Sequence, residues 1–146
     1  MSQYFDIGDE TVWNPSNGAA RLFLRQVAVF EAELGLASGF GPMENDECRM
    51  DPAAFEIFVN ALLAQHRRTS HAVILALGEG FTATTLALAE RAGIPVDWAL
   101  LGAPPEGALT DVQVSSPTGL SAPPDGETWA SRLRQKAREL ARSMPR

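Results

Sequence analysis

The stretch 51–93, DPAAFEIFVNALLAQHRRTSHAVILALGEGFTATTLALAERAG, is the longest apolar-periodic segment, and any fold of this chain must be built around it. It opens on Asp51-Pro52. A carboxylate there accepts orphan backbone N–H groups, and proline at the first helical position lacks the donor that would go unpaired. Phe55, Phe58, Val59, Leu62 and Leu63 then recur at three-and-four spacing, and Arg67 and Arg68 stand where a helix C-terminus favours positive charge. The first half is therefore a helix. Thr69 or Ser70 can cap a second one.

The second half supports two readings. As a helix over 69–92, Ile74, Leu77, Phe81, Thr85 and Leu88 form one stripe, with Glu79 and Glu90 elsewhere and Gly93 as the stop. As a βαβ unit, 71–77 is a buried strand, Gly78-Glu79-Gly80 a turn, 82–92 the crossover helix and 96–101 a parallel strand. Each interior glycine costs a helix about 1 kcal/mol against alanine, which speaks for the strand. The stripe runs through the glycines unbroken, which favours the helix.

At 146 residues and 45% hydrophobic content, the chain is long and apolar enough for one packed domain. Its charge of −6 argues against nucleic acid as a partner for the molecule as a whole. Cys48 is the single cysteine, which excludes an internal disulfide and a cysteine-based zinc site. The acidic start, 1–10, lacks the basic and apolar regions of a signal peptide, and the longest uninterrupted apolar run, 72–77, is too short to span a bilayer. A cytoplasmic protein without a membrane span is expected.

Before the central stretch, 4–7 and 11–13 are β-prone runs around Gly8-Asp9-Glu10, a plausible hairpin. Leu22, Phe23, Val27, Phe30 and Leu34 mark a helix face closed by Gly35. The stretch 36–42 reads as loop, and 47–50 as a third strand pairing with the hairpin. After Gly93, 94–101 is apolar around Pro95 and Trp98 and covers the core. The fold class is α+β: a small N-terminal antiparallel sheet packed on a helical core, residues 1–101. A Pro/Gly/Ser-rich linker follows at 102–126, then a basic amphipathic helix at 127–146.

That last helix carries six basic residues against two glutamates, a net +4 in a chain of −6. Its apolar stripe holds Trp129, Leu133 and Leu140, and its basic side Arg134 and Arg138. It is expected as a separately mobile docking helix. Its stripe would lie on the acidic body of its own or a neighbouring chain, or it would bind an external acidic surface. The simpler alternative is a terminal helix packed on its own core.

Other chemistry is sparse. Glu44, Asp46 and Glu47 form the densest acidic face, but without calcium-loop spacing they read as a solvated loop rather than a metal site. His66 and His71 are five apart, not the four of a zinc pair on one helix, and read as surface or capping residues. Gly78-Glu79-Gly80 matches no phosphate-binding fingerprint, and glycines that let helices pack closely explain it better. Cys48 reads as a small buried hydrophobe. No catalytic residue, metal or cofactor is expected.

Three groups of residues carry a resemblance: Phe5-Asp6-Ile7-Gly8-Asp9; Trp13-Asn14-Pro15-Ser16; and Gly41-Pro42-Met43 with Asp46-Glu47-Cys48. Over roughly the first ninety residues they resemble a family of small uncharacterised bacterial proteins known only as a domain of unknown function. That resemblance implies no activity and no site residue.

The expectation is a non-enzymatic cytoplasmic protein-binding module of an immunity or regulatory type. The partner would be another protein, a basic one drawn to the acidic face or a further copy of the chain in an oligomer. The alternative is an α/β small-molecule or nucleotide-binding protein, even an enzyme, using the Gly78-Glu79-Gly80 turn.

Overall fold

The computed structural model describes residues 2–69, 71–101 and 129–146. The linker assigned to 102–126 lies outside the described residues. Strands β1 (Tyr4–Ile7) and β2 (Glu10–Trp13) form the expected hairpin, and α1 (Asn17–Leu34) follows, capped by the Ser16 hydroxyl. Then come β3 (Phe40–Glu44), β4 (Glu47–Met50), α2 (Pro52–Arg68) and α3 (Ala72–Arg91). A short 3-10 turn at Trp98–Leu101 and α4 (Trp129–Ser143) complete the described chain. The class is α+β.

The sheet has the order β2-β1-β4-β3 and is mixed. β4 joins the hairpin as expected, but it runs parallel to β1, with Phe5 opposite Cys48. This corrects the purely antiparallel expectation. The fourth strand, β3, occupies part of the stretch read as loop. Gly41 and Pro42 concealed it there, and proline is tolerated because β3 is an edge strand. Asn45 and Asp46 connect β3 to β4 with positive φ angles of 52° and 66°, the conformation that the tight turn of a two-residue hairpin needs.

One aromatic network joins the layers. Phe5 lies against Trp13 and Phe23, Phe23 against Phe40 and Phe81, and Phe40 against Phe55. Phe81 stacks on Phe30 at 4.4 Å between ring centroids. These rings connect the inner face of the sheet to α1, α2 and α3 around one core. The predicted α2 face is buried throughout. On α1, Phe23 and Val27 are buried, but Leu22 faces solvent, against expectation.

The α2 start forms as its residues dictate, with the Asp51 carboxylate accepting from the Ala53 and Ala54 amides at 3.0 and 3.4 Å. Asn60 of α2 ties down the segment after α3: its Nδ2 donates to the Pro95 carbonyl and its Oδ1 accepts from the Asp97 amide. Ile94, Val96 and Trp98 are thereby held against the core.

The central ambiguity resolves as a helix. α3 is continuous, so neither the 71–77 strand nor the βαβ crossover forms, and Gly78-Glu79-Gly80 lies inside the helix rather than at a turn. By length and mean hydropathy, 1.6, α3 is long and apolar enough to cross a membrane, yet 56% of that window is buried inside the protein. The covered part of the helix needs that composition to pack inside the protein's own core.

Its two glycines differ. A Cβ at Gly78 would touch the Phe30 ring at 3.8 Å, ordinary contact, whereas one at Gly80 would meet nothing within 4 Å. Close packing therefore accounts for neither glycine being required, and nothing in the structure explains Gly80. Replacing Gly80 by Ala is expected to raise stability by about 0.5–1 kcal/mol through helix propensity alone. A rise in melting temperature of a few degrees checks this; a fall would show that the exposed position at 80 is occupied by something else.

α4 packs along α3. Leu133 and Ala137 are buried, and Met144, just past the helix end, is buried with them in the same core as the sheet and α2. Arg91 clasps this junction. Its guanidinium donates to the Val12 carbonyl of β2 at 3.2 Å and to the carbonyls of Ala141 and Met144. The Asn14 amide donates to the Pro145 carbonyl at 2.9 Å. The C-terminal helix is thus part of the central core.

Candidate functional site

The stripe that runs along α3 is buried only in its second half. Phe81, Thr85 and Leu88 are covered, but Ile74 is 40% and Leu77 76% exposed. The uncovered half forms one wall of a cleft of about 310 Å³, with Val29 and Phe30 of α1 and Leu62 and His66 of α2 forming the rest. Val29 is itself 58% exposed. Glu33, Gln65, Thr69 and Thr82 supply polar groups around this apolar surface.

His66 is buried in the cleft wall, not at the surface as its sequence context implied. Burial lowers its pKa below the ordinary 6.5, opposed by the negative charge of Glu79. The sign of the linkage follows. A buried neutral imidazole binds its proton less readily than the unfolded chain does, so its contribution to stability is fully present above about pH 6.5 and declines as pH falls below it. The unfolding free energy should therefore drop on acidification from about pH 7 to about pH 5, by at most about 1.4 kcal/mol per pH unit from this group, and the melting temperature with it. In a His66→Gln variant that part of the slope should vanish. An identical slope in both proteins would show that His66 is not the group responsible.

His71 stands at the N-cap of α3, but its side chain makes no capping bond. Thr69 does the local work instead, its hydroxyl accepting from the His71 amide at 3.1 Å. The two histidines lie on either side of the break between α2 and α3.

The acidic residues come together at one turn. Glu44 and Glu47 are directly opposed across β3 and β4, and both are exposed. Like charges facing across a strand pair are mildly destabilising. Asp46 is half-buried, with its carbonyl accepting from the Tyr4 amide at 2.8 Å. Among the described residues, no group of three or more His, Cys, Asp or Glu side chains is placed to hold a metal ion. Cys48 is buried on the inner sheet face, its thiol donates to the Gly41 carbonyl, and burial raises its pKa to about 11. A thiol so placed stays protonated and unreactive.

On α4, Leu133 is fully buried and Leu140 half-buried, so the stripe offered for docking meets the protein's own chain. The side chain of Trp129 lies outside the described residues. Arg134 and Arg138 remain at the surface, with the Arg134 guanidinium 4.1 Å above the Trp98 ring centroid.

Sequence reasoning missed the cleft itself. Ile74 and Leu77 carried the right periodicity, but the pattern shows only that a face is apolar. It does not say that the start of that face is left uncovered, with Ile74 and Leu77 exposed.

No curated protein and no solved structure matches the chain. The family resemblance of the N-terminal motifs extends beyond residue 93 to the whole length: a family model matches residues 1–146, and the chain belongs to the family of unknown function DUF6086.

Proposed function

We propose that this protein is a non-enzymatic, cytoplasmic protein-binding module of an immunity or regulatory type. The carrying observation is the uncovered apolar cleft. Leu77 and Ile74 of α3 and Val29 of α1 present large hydrophobic side chains to solvent around a concavity, while Phe81, Thr85 and Leu88 further along α3 are buried. Contiguous exposed apolar surface of this kind marks interaction sites. Its occupant is an amphipathic helix of a partner protein, which lays side chains at three-and-four spacing into such a groove.

The opposed glutamates Glu44 and Glu47 support a basic character for the partner. They raise local negative potential at a cost in stability, and such a field speeds encounter more than it strengthens the bound state. Burial of more than half of α3 within the protein supports the absence of a membrane span.

The test uses native partners captured on the full-length protein. Leu77→Asp and Val29→Asp should abolish capture while leaving the melting temperature within a few degrees, because both side chains are exposed. Leu22→Asp, exposed on α1 but outside the cleft, serves as the control. If the cleft variants and the control retain the same partners, the cleft is not the interface.

A small apolar ligand is the second reading. The cleft volume, about 310 Å³, falls at the lower end of ligand-sized pockets. Native mass spectrometry of the purified protein separates the two: a co-purifying mass of a few hundred daltons, lost in Leu77→Asp, favours the ligand.

A further inference from the structure

On another part of the surface, the seam between α3 and α4 opens into a groove of about 440 Å³ lined by Arg91, Arg138, Arg142 and Arg146, with Glu90 as the one carboxylate. Arg138 and Arg142 stand one turn apart on α4, both exposed, and neither forms an ion pair among the described residues. Arg91 is fixed at the floor by its bonds to three carbonyls. Arg146 reaches Glu10 at 3.7 Å, an exposed pair of little strength. Four guanidiniums against so little negative charge is unexpected in a chain of −6. Burial first, and then the nearby positive charge of Arg146, lower the pKa of Arg91, which registers the same local excess.

A second groove, of about 320 Å³, adjoins this one, with Glu90 and Arg138 lining both. The second has a different character. Ile94, Val96 and Trp98 form its apolar side, and the central guanidinium carbon of Arg134 stands 4.1 Å from the Trp98 ring centroid. A guanidinium held on an indole presents its other face as a platform for a further flat ring. Together the two adjoining grooves, one channel along the α3/α4 seam, offer a stacking surface at one end, a hydrogen-bond acceptor at Glu90 between them, and a basic end at Arg138, Arg142 and Arg146.

We propose that the α3/α4 channel binds a small phosphate-bearing molecule of the nucleoside phosphate class. The ring stacks on the Arg134–Trp98 pair, a sugar hydroxyl donates to Glu90, and the phosphates lie between Arg138, Arg142 and Arg146. Guanidinium forks at one-turn spacing suit phosphate oxygens. The acidic remainder of the molecule repels a long polyanion but leaves a short one free to enter, which selects a small ligand over nucleic acid or an anionic membrane.

Calorimetry on the full-length protein with ADP and with inorganic pyrophosphate as probes tests this. Saturable binding of ADP is expected, at least tenfold tighter than pyrophosphate. The double variant Arg138→Gln/Arg142→Gln should weaken ADP at least tenfold with its melting curve unchanged, as both side chains are exposed. Arg134→Gln should reduce the preference for ADP over pyrophosphate. No saturable ADP binding at millimolar concentration, equal binding of the two probes, or ADP affinity unaltered in the double variant would each overturn the assignment. So would tighter, salt-sensitive binding to phosphatidylglycerol vesicles or duplex DNA than to ADP.

Discussion

Ending the chain after residue 126 is expected to abolish cooperative folding. The deletion removes Leu133, Ala137 and Met144 from the core and uncovers the α3 surface on which they pack. Burial of those three side chains contributes on the order of 5 kcal/mol, comparable to the whole net stability of a domain of this size. The loss does not stop there. Arg91 forfeits the Ala141 and Met144 carbonyls, the Asn14 amide loses Pro145, and Glu79 loses its ion pair with Lys136. The truncated protein should aggregate or bind a hydrophobic dye without a sharp thermal transition. Leu133→Ala gives the graded form of the experiment: about 3 kcal/mol, or roughly 10 °C in melting temperature. A cooperative melt within a few degrees of the intact protein would show that α4 is a detachable appendage after all.

Gly39→Ala should be the most damaging single methyl group in the molecule. Gly39 has φ of +85°, and a Cβ there would stand 2.6 Å from the Asp51 carbonyl oxygen and 2.8 Å from the Phe55 nitrogen. Both are backbone atoms of the first turn of α2 and cannot rotate away. The same glycine accepts the Asp51 amide at 2.8 Å, so the β3 entry is stitched directly to the α2 start. Positive φ in a non-glycine residue and overpacking against fixed backbone each cost about 1–3 kcal/mol, and here they coincide. The expected loss is about 3 kcal/mol or more, read as a fall of roughly 10 °C in melting temperature. The contrast with Gly80→Ala makes the measurement specific, since that substitution should stabilise. Equal effects at 39 and 80 would mean that the close approach at 39 does not exist.

The candidate cleft and the channel on the opposite seam of α3 were legible in the sequence to different degrees. The basic character of α4 is plain from composition, and Arg134 and Arg138 were identifiable as a surface-facing set. Arg91 was not. Its importance depends on three carbonyls, two of them about fifty residues away along the chain, and carbonyls leave no trace in side-chain identity. Glu31 gave no local signal either, because its partner lies seven residues on, past the end of α1. Its carboxylate accepts from the amide and hydroxyl of the buried Ser38 and anchors the turn into β3.

By itself the sequence determined the elements whose causes are local. Asp51-Pro52 sets the start of α2, the spacing from Phe55 to Leu63 sets its buried face, and Gly35 ends α1 in a left-handed conformation. The motifs around Phe5, Trp13 and Cys48 marked the family. Only the tertiary structure decided that β1 and β4 run parallel, that β3 exists despite Gly41-Pro42, that Leu133 faces the protein's own core and that Leu77 does not. The physical reason is common to all four. Hydrophobic periodicity records which side of an element avoids water, but burial requires a second surface, and whether that surface arrives depends on contacts far apart in the chain.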